Sequence, residues 1–546
     1  MRMPWKKEKV VEVDPATGAE PMEHNALEKS LGLGKVGTIF ASGSALFSDG
    51  YANASIGPVN TILKGYIYKD TFLTHTQDSS LISAMAFAGI IVGQLTFGWI
   101  SDKIGRKFGM LVCTGIVFVF SALEAGSKGV GGAQGTINAL IAYRFLVGIG
   151  IGGEYPTGSV AAAEGSEDPQ ISKKSQQRLF VLATNSAIDV AFVVATFVPL
   201  VLLWIFGMDH LRAVWRITLG LGIVPPMFLL YFRLKMREPE AYIKNSMKKA
   251  RIPYWLIIKR YWVKLAAVSI TWFIYDWITY PFGIYSSAIT DVADANGDLY
   301  SALGWSCLIN VFYLAAWNAY RRLCGRLPRS QGEWPFVAWF MSLPVTHQYC
   351  MITGLLLQAL FGFILSGCYN LLVPNHIAGF AVMYGIFLSF GELGPGNCLG
   401  LLASKAIGPT ATRGQLYGIA AAVGKGEHGC DGGWVVELIE RFVQSARSSG
   451  PTRSPKSRRV SGNTALMLAT LSGVFWIGSA LAVLSALITF LFIPNIKADH
   501  MVNEDIAFRE YLVANGYDVT NMGFAEMEDP NILEKNLDEK HTVKAI

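Results

Sequence analysis

The sequence is poor in charge for its length. Charged residues make up 16% of the 546 residues, whereas hydrophobic residues make up 52%. A typical soluble domain has about 25% charged residues, and one soluble core has no room for so large an apolar excess. The composition therefore excludes a single soluble globular domain and indicates that part of the apolar surface faces lipid.

Cysteine is scarce and follows no pattern. The seven cysteines include no C-x-x-C pair and no histidine at metal-ligand spacing, so we expect neither a disulfide framework, nor a metal, nor a cofactor. The polar stretches also lack a nucleophile–base pair and a nucleotide-binding loop, which argues against an enzyme. The first thirty or so residues contain no apolar run, so no cleavable signal peptide is predicted.

Long apolar stretches dominate the rest of the chain. A helix needs about 20 apolar residues to cross a bilayer. Candidate spans lie near residues 36–63, 79–100, 109–126, 136–163, 179–206, 214–232, 265–288, 350–372, 377–402 and 464–494, with shorter or broken ones near 302–319 and 415–424. The sequence thus predicts an all-α membrane protein.

The cations lie in loops beside these spans. A net charge of +6 is compatible with a nucleic-acid partner. However, the cations are grouped beside the spans: a dense basic run from Arg233 to Arg260 precedes the seventh span, whereas the loop Asp291–Asp298 after that span contains aspartates and no cation. Cytoplasmic loops are enriched in Lys and Arg. We therefore expect a lipid bilayer partner, no nucleic acid, and a cytoplasmic basic loop.

The same alternation predicts the domain organisation. Six spans precede the basic loop and up to six follow it, with both termini cytoplasmic. The predicted segments are a tail at 1–34, a six-helix bundle at 35–232, a linker at 233–262, a second bundle at 263–495 and a tail at 496–546.

A short charged turn separates the second and third spans. It has the pattern G-x-x-x-D-K-x-G-R-K, formed by Gly98, Asp102, Lys103, Gly105, Arg106 and Lys107. Any tight basic turn between spans would obey the charge rule. The order of the glycines, the acid and the cations nevertheless resembles the conformational-switch loop of the major facilitator superfamily of membrane transporters, which implies two six-helix bundles.

Four charged residues stand out inside the spans: Asp49, Arg144, Glu154 and Asp276. A lone charge at the centre of a membrane helix costs roughly 2.5–3.5 kcal/mol, so each is expected to be paired, hydrated or functional. Arg144 and Glu154 are about 15 Å apart on a regular helix and cannot pair, which leaves Asp49 as the expected partner of Arg144. Asp49 either binds a proton or is an acid near a helix end that water reaches.

The fourth span is rich in glycine between these two charges. Gly148, Gly150, Gly152 and Gly153 permit close packing of helices. They would equally let the backbone approach an anionic substrate.

The seventh span contains the pattern W-x-x-x-D-x-x-x-Y. Trp272, Asp276 and Tyr280 follow one another in steps of four residues, and each step drifts by only about 40° around a helix. An indole N–H, a carboxyl and a phenol therefore share one face. All three can donate to phosphate oxygens, the carboxyl only when it is protonated. Aromatic packing is the alternative role.

Further motifs narrow the resemblance. G-I-G-G-E-Y-P at 150–156, the W-x-x-x-D-x-x-x-Y set and G-P-G-N at 394–397 are similar to the phosphate:proton symporter family, and L-F-S-D-G-Y at 46–51 and L-L-A-S-K at 401–405 resemble its fungal glycerophosphodiester branch. The resemblance implies substrate contacts from Tyr155, Asn185, Trp272, Asp276, Tyr280 and Asn397, and proton-linked roles for Asp49, Arg144 and Glu154. At the fifth span Asp189 competes with Asn185, and Glu154 stands where inorganic phosphate carriers generally have Asp.

The prediction is therefore a major facilitator fold with nominally twelve spans, a monomer in the plasma membrane, that takes up glycerophosphoinositol or glycerophosphocholine, a small anionic organic phosphate, together with protons. Inorganic phosphate uptake is one alternative. A non-transporting receptor or inactive carrier is another.

Two segments depart from the pattern, at 315–350 and 424–462. They fall where the eighth span should end and the eleventh should lie, and their arginines make each too polar to cross a bilayer intact. Our hypothesis is an error in the gene model at both places. The alternative is a divergent paralogue with large loops.

Overall fold

The computed structural model describes residues 34–75, 77–173, 175–293, 298–315, 347–373, 376–431, 462–493, 496, 500–520, 522 and 523. Regular secondary structure within these ranges is entirely helical. Helices are expected in a bilayer, because a helix satisfies every backbone N–H and C=O within its own segment.

The helices of 13 or more residues are numbered in chain order. They are α1 Leu46–Ile62, α2 Asp78–Lys103, α3 Arg106–Ala125, α4 Ala133–Ser166, α5 Gln176–Phe206, α6 Met208–Lys235, α7 Tyr254–Ile284, α8 Leu299–Val311, α9 His347–Leu372, α10 Ile377–Lys405, α11 Arg413–Asp431, α12 Gly462–Phe492 and α13 His500–Ala514.

Eight helices in the described ranges are long and apolar enough to cross a membrane, namely α2 to α6, α9, α10 and the 472–492 part of α12. Large apolar side chains such as Trp204, Phe228 and Leu491 are exposed on their outer faces, as lipid contact requires. As far as the described ranges extend, every predicted apolar stretch falls on one or two helices. The count of twelve spans stays a prediction, since α1 and α8 have only 17 and 13 residues.

The two anomalous segments are described only at their edges. Residues 316–346 and 432–461 lie outside the described ranges, so the gene-model hypothesis stays a prediction. The edges themselves are helical: α11 continues to Asp431, beyond the predicted break at 424, and α9 begins at His347.

The helices pack as two groups that meet along one interface. In the first group α2 and α3 pack on α4, and α1 packs on α5; in the second, α7 packs on α11 and α12, and α9 packs on α10 and α12. The two groups meet where α2 crosses α11 and where α5 crosses α8. Side chains of both groups therefore border the space between them.

The glycines of α4 lie at close helix crossings. A Cβ atom on Gly148 would lie 2.1 Å from the carbonyl oxygen of Ala86, and one on Gly152 would lie 2.1 Å from that of Ile90, both on α2. A Cβ atom on Gly150 would lie 2.9 Å from the carbonyl oxygen of Cys113 on α3, and one on Gly153 would lie 2.3 Å from the Cys113 sulfur. Of the two roles predicted for these glycines, the structure therefore shows close packing.

Candidate functional site

A buried cavity lies between the two groups of helices. All six predicted substrate-binding side chains line it, together with Asp189, Tyr275, Thr279, Glu392 and Tyr417. Its volume of about 50 Å³ is far below the roughly 300–1,000 Å³ of most ligand pockets. The cavity has room for a few water molecules in this conformation, and a larger ligand requires the two groups to separate.

Two π-helical turns shape the cavity walls. One covers Tyr155–Ser159 in α4 and the other Glu392–Gly396 in α10, and each contains a proline. Proline has no N–H to donate, so it interrupts the ordinary hydrogen-bond ladder, and π turns are frequent at functional sites. Tyr155 and Glu392 are the first residues of these turns and both face the cavity.

The predicted face of α7 is present, and a cation on α11 that the sequence did not indicate lies against it. Trp272, Asp276 and Tyr280 line the cavity together. Lys425 of α11 lies 3.3 Å from Asp276 Oδ2, with side-chain exposures of 1% and 0%, and its ammonium lies 3.2 Å from the centre of the Tyr280 ring. Lys425 was not predicted, because the segment from residue 424 onward is too polar in sequence to cross a bilayer intact. The helical apolar run at 415–424 was the available signal.

Asp49 is connected to the cavity through two phenols. Its carboxylate accepts hydrogen bonds from Tyr155, from Tyr280 at 3.2 Å and from Asn53 at 2.6 Å. The hydroxyls of Tyr155 and Tyr280 lie 3.4 Å apart. Asp49 is buried, so the carboxylate depends on these three donors.

The predicted pair between Asp49 and Arg144 is wrong. The Arg144 guanidinium is paired with Glu124 of α3 at 3.9 Å and donates to the carbonyl oxygen of Ala52 at 2.9 Å. Asn53 separates it from Asp49, because the Asn53 amide nitrogen donates to Asp49 while its oxygen faces Arg144 at 3.5 Å. Asn53 therefore links Arg144 to Asp49 by hydrogen bonds, in place of an ion pair between the two.

Glu154 has its own cation. Arg233 at the end of α6 donates to both of its carboxylate oxygens, at 2.6 and 2.7 Å, and Thr114 donates at 3.1 Å. Arg144 and Glu154 do not pair with each other, as expected from their separation. The pair formed by Glu154 and Arg233 lies beside the cavity wall rather than in it, since neither residue lines the cavity.

A second acidic group lines the cavity. Asn185 and Asp189 of α5 face Glu392 of α10, and the Asn185 amide lies 3.1 Å from Glu392 Oε2 and 3.2 Å from Asn397 Oδ1. Tyr275 donates to Glu392 at 2.5 Å. Asn185 and its competitor Asp189 thus both belong to the site. Glu392 was missed, although an acid within the apolar stretch 377–402 was a signal.

The charged turn between α2 and α3 holds the two groups together on one side of the protein. Asp102 accepts hydrogen bonds from the backbone N–H groups of Gly414 and Gln415, at 2.9 and 2.8 Å, at the start of α11. A carboxylate is favourable at a helix N-terminus. Arg106 pairs with Asp102 at 2.5 Å and with Glu164 at 3.0 Å. This side is called the loop side below.

The other residues of the turn place it against the linker. Gly105 has φ of +154°, and a Cβ atom there would lie 2.4 Å from Glu238. Glu238 accepts from the backbone N–H of Arg106 at 3.1 Å; burial raises its pKa, although such N–H groups oppose the shift. Lys103 donates to linker carbonyls, at 2.9 Å to that of residue 250, and Lys107 to that of residue 234. Gly98, the remaining residue of the charged turn, contacts the backbone of α11.

The opposite side of the interface is also closed. Thr61 and Ser287 share a hydrogen bond of 3.2 Å, and a Cβ atom on Gly57 would lie 1.9 Å from the carbonyl oxygen of Ile284. Contacts on both sides therefore enclose the cavity. Among the described residues no group of three or more His, Cys, Asp or Glu could hold a metal ion.

Two packed groups of apolar helices around a charged, enclosed cavity define a membrane transporter of the major facilitator type. The model of the sugar (and other) transporter family matches residues 36–251. A glycerophosphocholine permease of Candida albicans is 39% identical over 515 residues, which cover 92% of this chain and 88% of that protein. A major glycerophosphoinositol permease of the same organism is also 39% identical, over 89% of this chain and 83% of that protein.

The solved structures agree on the fold. The proton:xylose symporter XylE bound to 6-bromo-6-deoxy-D-glucose has a TM-score of 0.61 at 16% identity, over 87% of this chain and 98% of that one. The chain belongs to the sugar (and other) transporter family of the major facilitator superfamily, with the fungal glycerophosphodiester permeases as relatives. It is a multi-pass membrane transporter.

Proposed function

We propose that this protein takes up glycerophosphodiesters together with protons across the plasma membrane, as a monomer. The observation that carries the proposal is Asp276, which lines an enclosed cavity with Trp272 and Tyr280 and is paired with the buried Lys425 behind it. A cation with hydrogen-bond donors is the chemistry that a phosphate group requires. The two Candida relatives, named for glycerophosphodiester substrates, support the same class.

Protonation of Asp276 is the first coupling step in this proposal. While Asp276 is ionised, it forms an ion pair with the Lys425 ammonium. It would then repel a phosphate anion placed between the two side chains. A proton on the carboxyl removes the repulsion, releases the ammonium for the phosphate and provides an O–H donor. Substrate and proton therefore bind together, although each alone binds poorly.

Asp49 is the second acid in the proposal. While it is ionised, it accepts from Tyr155 and Tyr280, so neither phenol is available to a substrate. Protonation of Asp49 would release both hydroxyls toward the cavity. The Asn53 bridge gives Arg144 an indirect part in this step, and the pair of Glu154 and Arg233 positions the α4 turn that begins at Tyr155.

Alternating access then follows from the two closed sides. The groups separate on one side at a time and expose the loaded cavity, as is general for transporters of this class. On the loop side, opening must break the contacts of Asp102 and Arg106 with residues 410–415. We place the loop side, the 233–262 linker and both termini in the cytoplasm on the basis of the positive charges in these loops.

Uptake of labelled glycerophosphocholine and glycerophosphoinositol by permease-deficient yeast that expresses this chain tests the proposal. Uptake should rise as external pH falls and collapse with a protonophore. Asp276→Asn should abolish uptake, and Trp272→Phe should weaken affinity by the ~1 kcal/mol of one hydrogen bond. Asp70→Asn, at an exposed position, is the matched control. Uptake that follows sodium and ignores pH would contradict proton coupling, and no uptake of either ester would contradict the substrate class.

A further inference from the structure

The cavity contains a charged group that a phosphate does not need. Asp276 and Tyr275 are consecutive on α7, so their side chains point about 100° apart. Asp276 faces Lys425, whereas Tyr275 faces Glu392 and the acidic group around it. One wall of the cavity is thus suited to an anion, and the next wall carries two carboxylates, Asp189 and Glu392.

The two carboxylates have no cation of their own. The two carboxyl groups lie within hydrogen-bond reach of each other, and their other contacts in the described part of the chain include the Asn185 amide, which lies within 3.5 Å of both, and the Tyr275 hydroxyl. None of the ion pairs among those residues includes either acid, and both are buried, at 2% and 4% exposure. Uncompensated buried charge is costly, so the pair requires a positive partner or a proton.

A second observation points to a ligand at this wall. The hydroxyl of Thr279, one helical turn after Tyr275 on α7, is buried without a hydrogen-bond partner and lines the same cavity. Buried hydroxyls are nearly always paired. Phe192 and Tyr275 provide aromatic faces on this part of the lining, and such faces attract ammonium groups.

We propose that Asp189 and Glu392 form a head-group subsite that selects glycerophosphodiesters with a cationic head group, such as a quaternary or primary ammonium. The inference rests on the proposed function, because the phosphate of the same molecule must occupy the wall at Asp276, which is paired with Lys425. Asp189 belongs to the first group of helices and Glu392 to the second. A cation between them therefore draws the two groups together and contributes to closure around the substrate.

The test compares uptake kinetics of esters that differ in head-group charge. In permease-deficient yeast, the wild-type protein should have a lower KM for glycerophosphocholine and glycerophosphoethanolamine than for glycerophosphoinositol, whose head group is neutral. Glu392→Gln and Asp189→Asn should each raise the KM for the cationic esters by about tenfold or more, the worth of a hydrogen bond to a charged group. The KM for glycerophosphoinositol should change by much less.

Two controls keep the test decisive. Glu392→Asp retains the charge and should retain the selectivity, and Glu510→Gln at an exposed position of α13 should leave all kinetics unchanged. If a variant does not reach the membrane, thermal stabilisation of the purified wild-type protein provides the second readout. Glycerophosphocholine should then stabilise it at lower concentration than glycerophosphoinositol.

Equal KM values for cationic and neutral esters in the wild type would overturn the subsite. So would an equal loss of uptake for all esters in Glu392→Gln, since that result assigns the acid pair to a shared proton. Either result leaves glycerophosphodiester transport intact. If the wild type moves neither class of ester, the proposed function fails first.

Discussion

The ion pair of Lys425 with Asp276 provides the sharpest prediction. Replacement of Lys425 by Met keeps the length of the side chain and removes its charge. Asp276 would then be a carboxylate of 0% exposure without its cation. Breaking a buried pair by removing one partner costs about 3–5 kcal/mol, because the remaining charge keeps its desolvation penalty. We expect a clear loss of thermal stability in detergent.

The double variant separates electrostatics from packing. Asp276→Asn with Lys425→Met removes both charges, so it should be more stable than either single variant, and the coupling energy should reach about 1–3 kcal/mol. Uptake should not recover, since the phosphate then meets neither the ammonium nor the carboxyl. Thermal unfolding of the four purified proteins measures the first effect, and labelled-ester uptake at matched surface expression measures the second.

A matched lysine provides the control. Lys128→Met lies at an exposed loop position and should change neither stability nor uptake. Two outcomes would refute the reasoning about the pair. One is additive losses of stability in the double variant. The other is uptake in Lys425→Met that equals the wild type.

Three further predictions concern the loop side. Arg251→Cys in intact cells should resist an impermeant thiol reagent added outside, and labelling there would reverse the proposed orientation. Asp102→Asn weakens two hydrogen bonds, each worth about 1.5–3 kcal/mol when the acceptor is charged, so cysteine labelling on the loop side should increase. Unchanged labelling would show that this contact does not keep the loop side closed. Burial raises the pKa of Glu504, but the Tyr261 hydrogen bond and Lys264 outweigh it and lower the pKa below its ordinary value. Docking of α13 through Glu504 should therefore be retained above about pH 4.3 and be lost as pH falls further, which limited proteolysis of α13 would measure.

Some of the site follows from local sequence alone. Trp272, Asp276 and Tyr280 share a face because the helical repeat of 3.6 residues brings every fourth side chain round, and the structure places all three on one cavity. The charged turn at 98–107 is likewise a local pattern. Such features depend on residues within two or three helical turns, so periodicity and composition are sufficient to predict them.

The partners of buried charges did not follow from the sequence. The predicted partner of Arg144 is Asp49, but a neighbouring asparagine separates them and the acid that pairs with Arg144 is Glu124. A net charge or a helical period gives no distance between helices. The choice among several acids in adjacent spans depends on how those spans are rotated against one another.

By itself, the sequence determined the apolar helices, the basic turns and the polar face of α7, because lipid and the helical repeat act on each segment separately. Only the tertiary structure decided that Lys425 meets Asp276 and that Asn185 meets Glu392, 207 residues further along the chain. Those contacts arise where two groups of helices close on each other. Their geometry depends on packing between segments, and no local pattern encodes it.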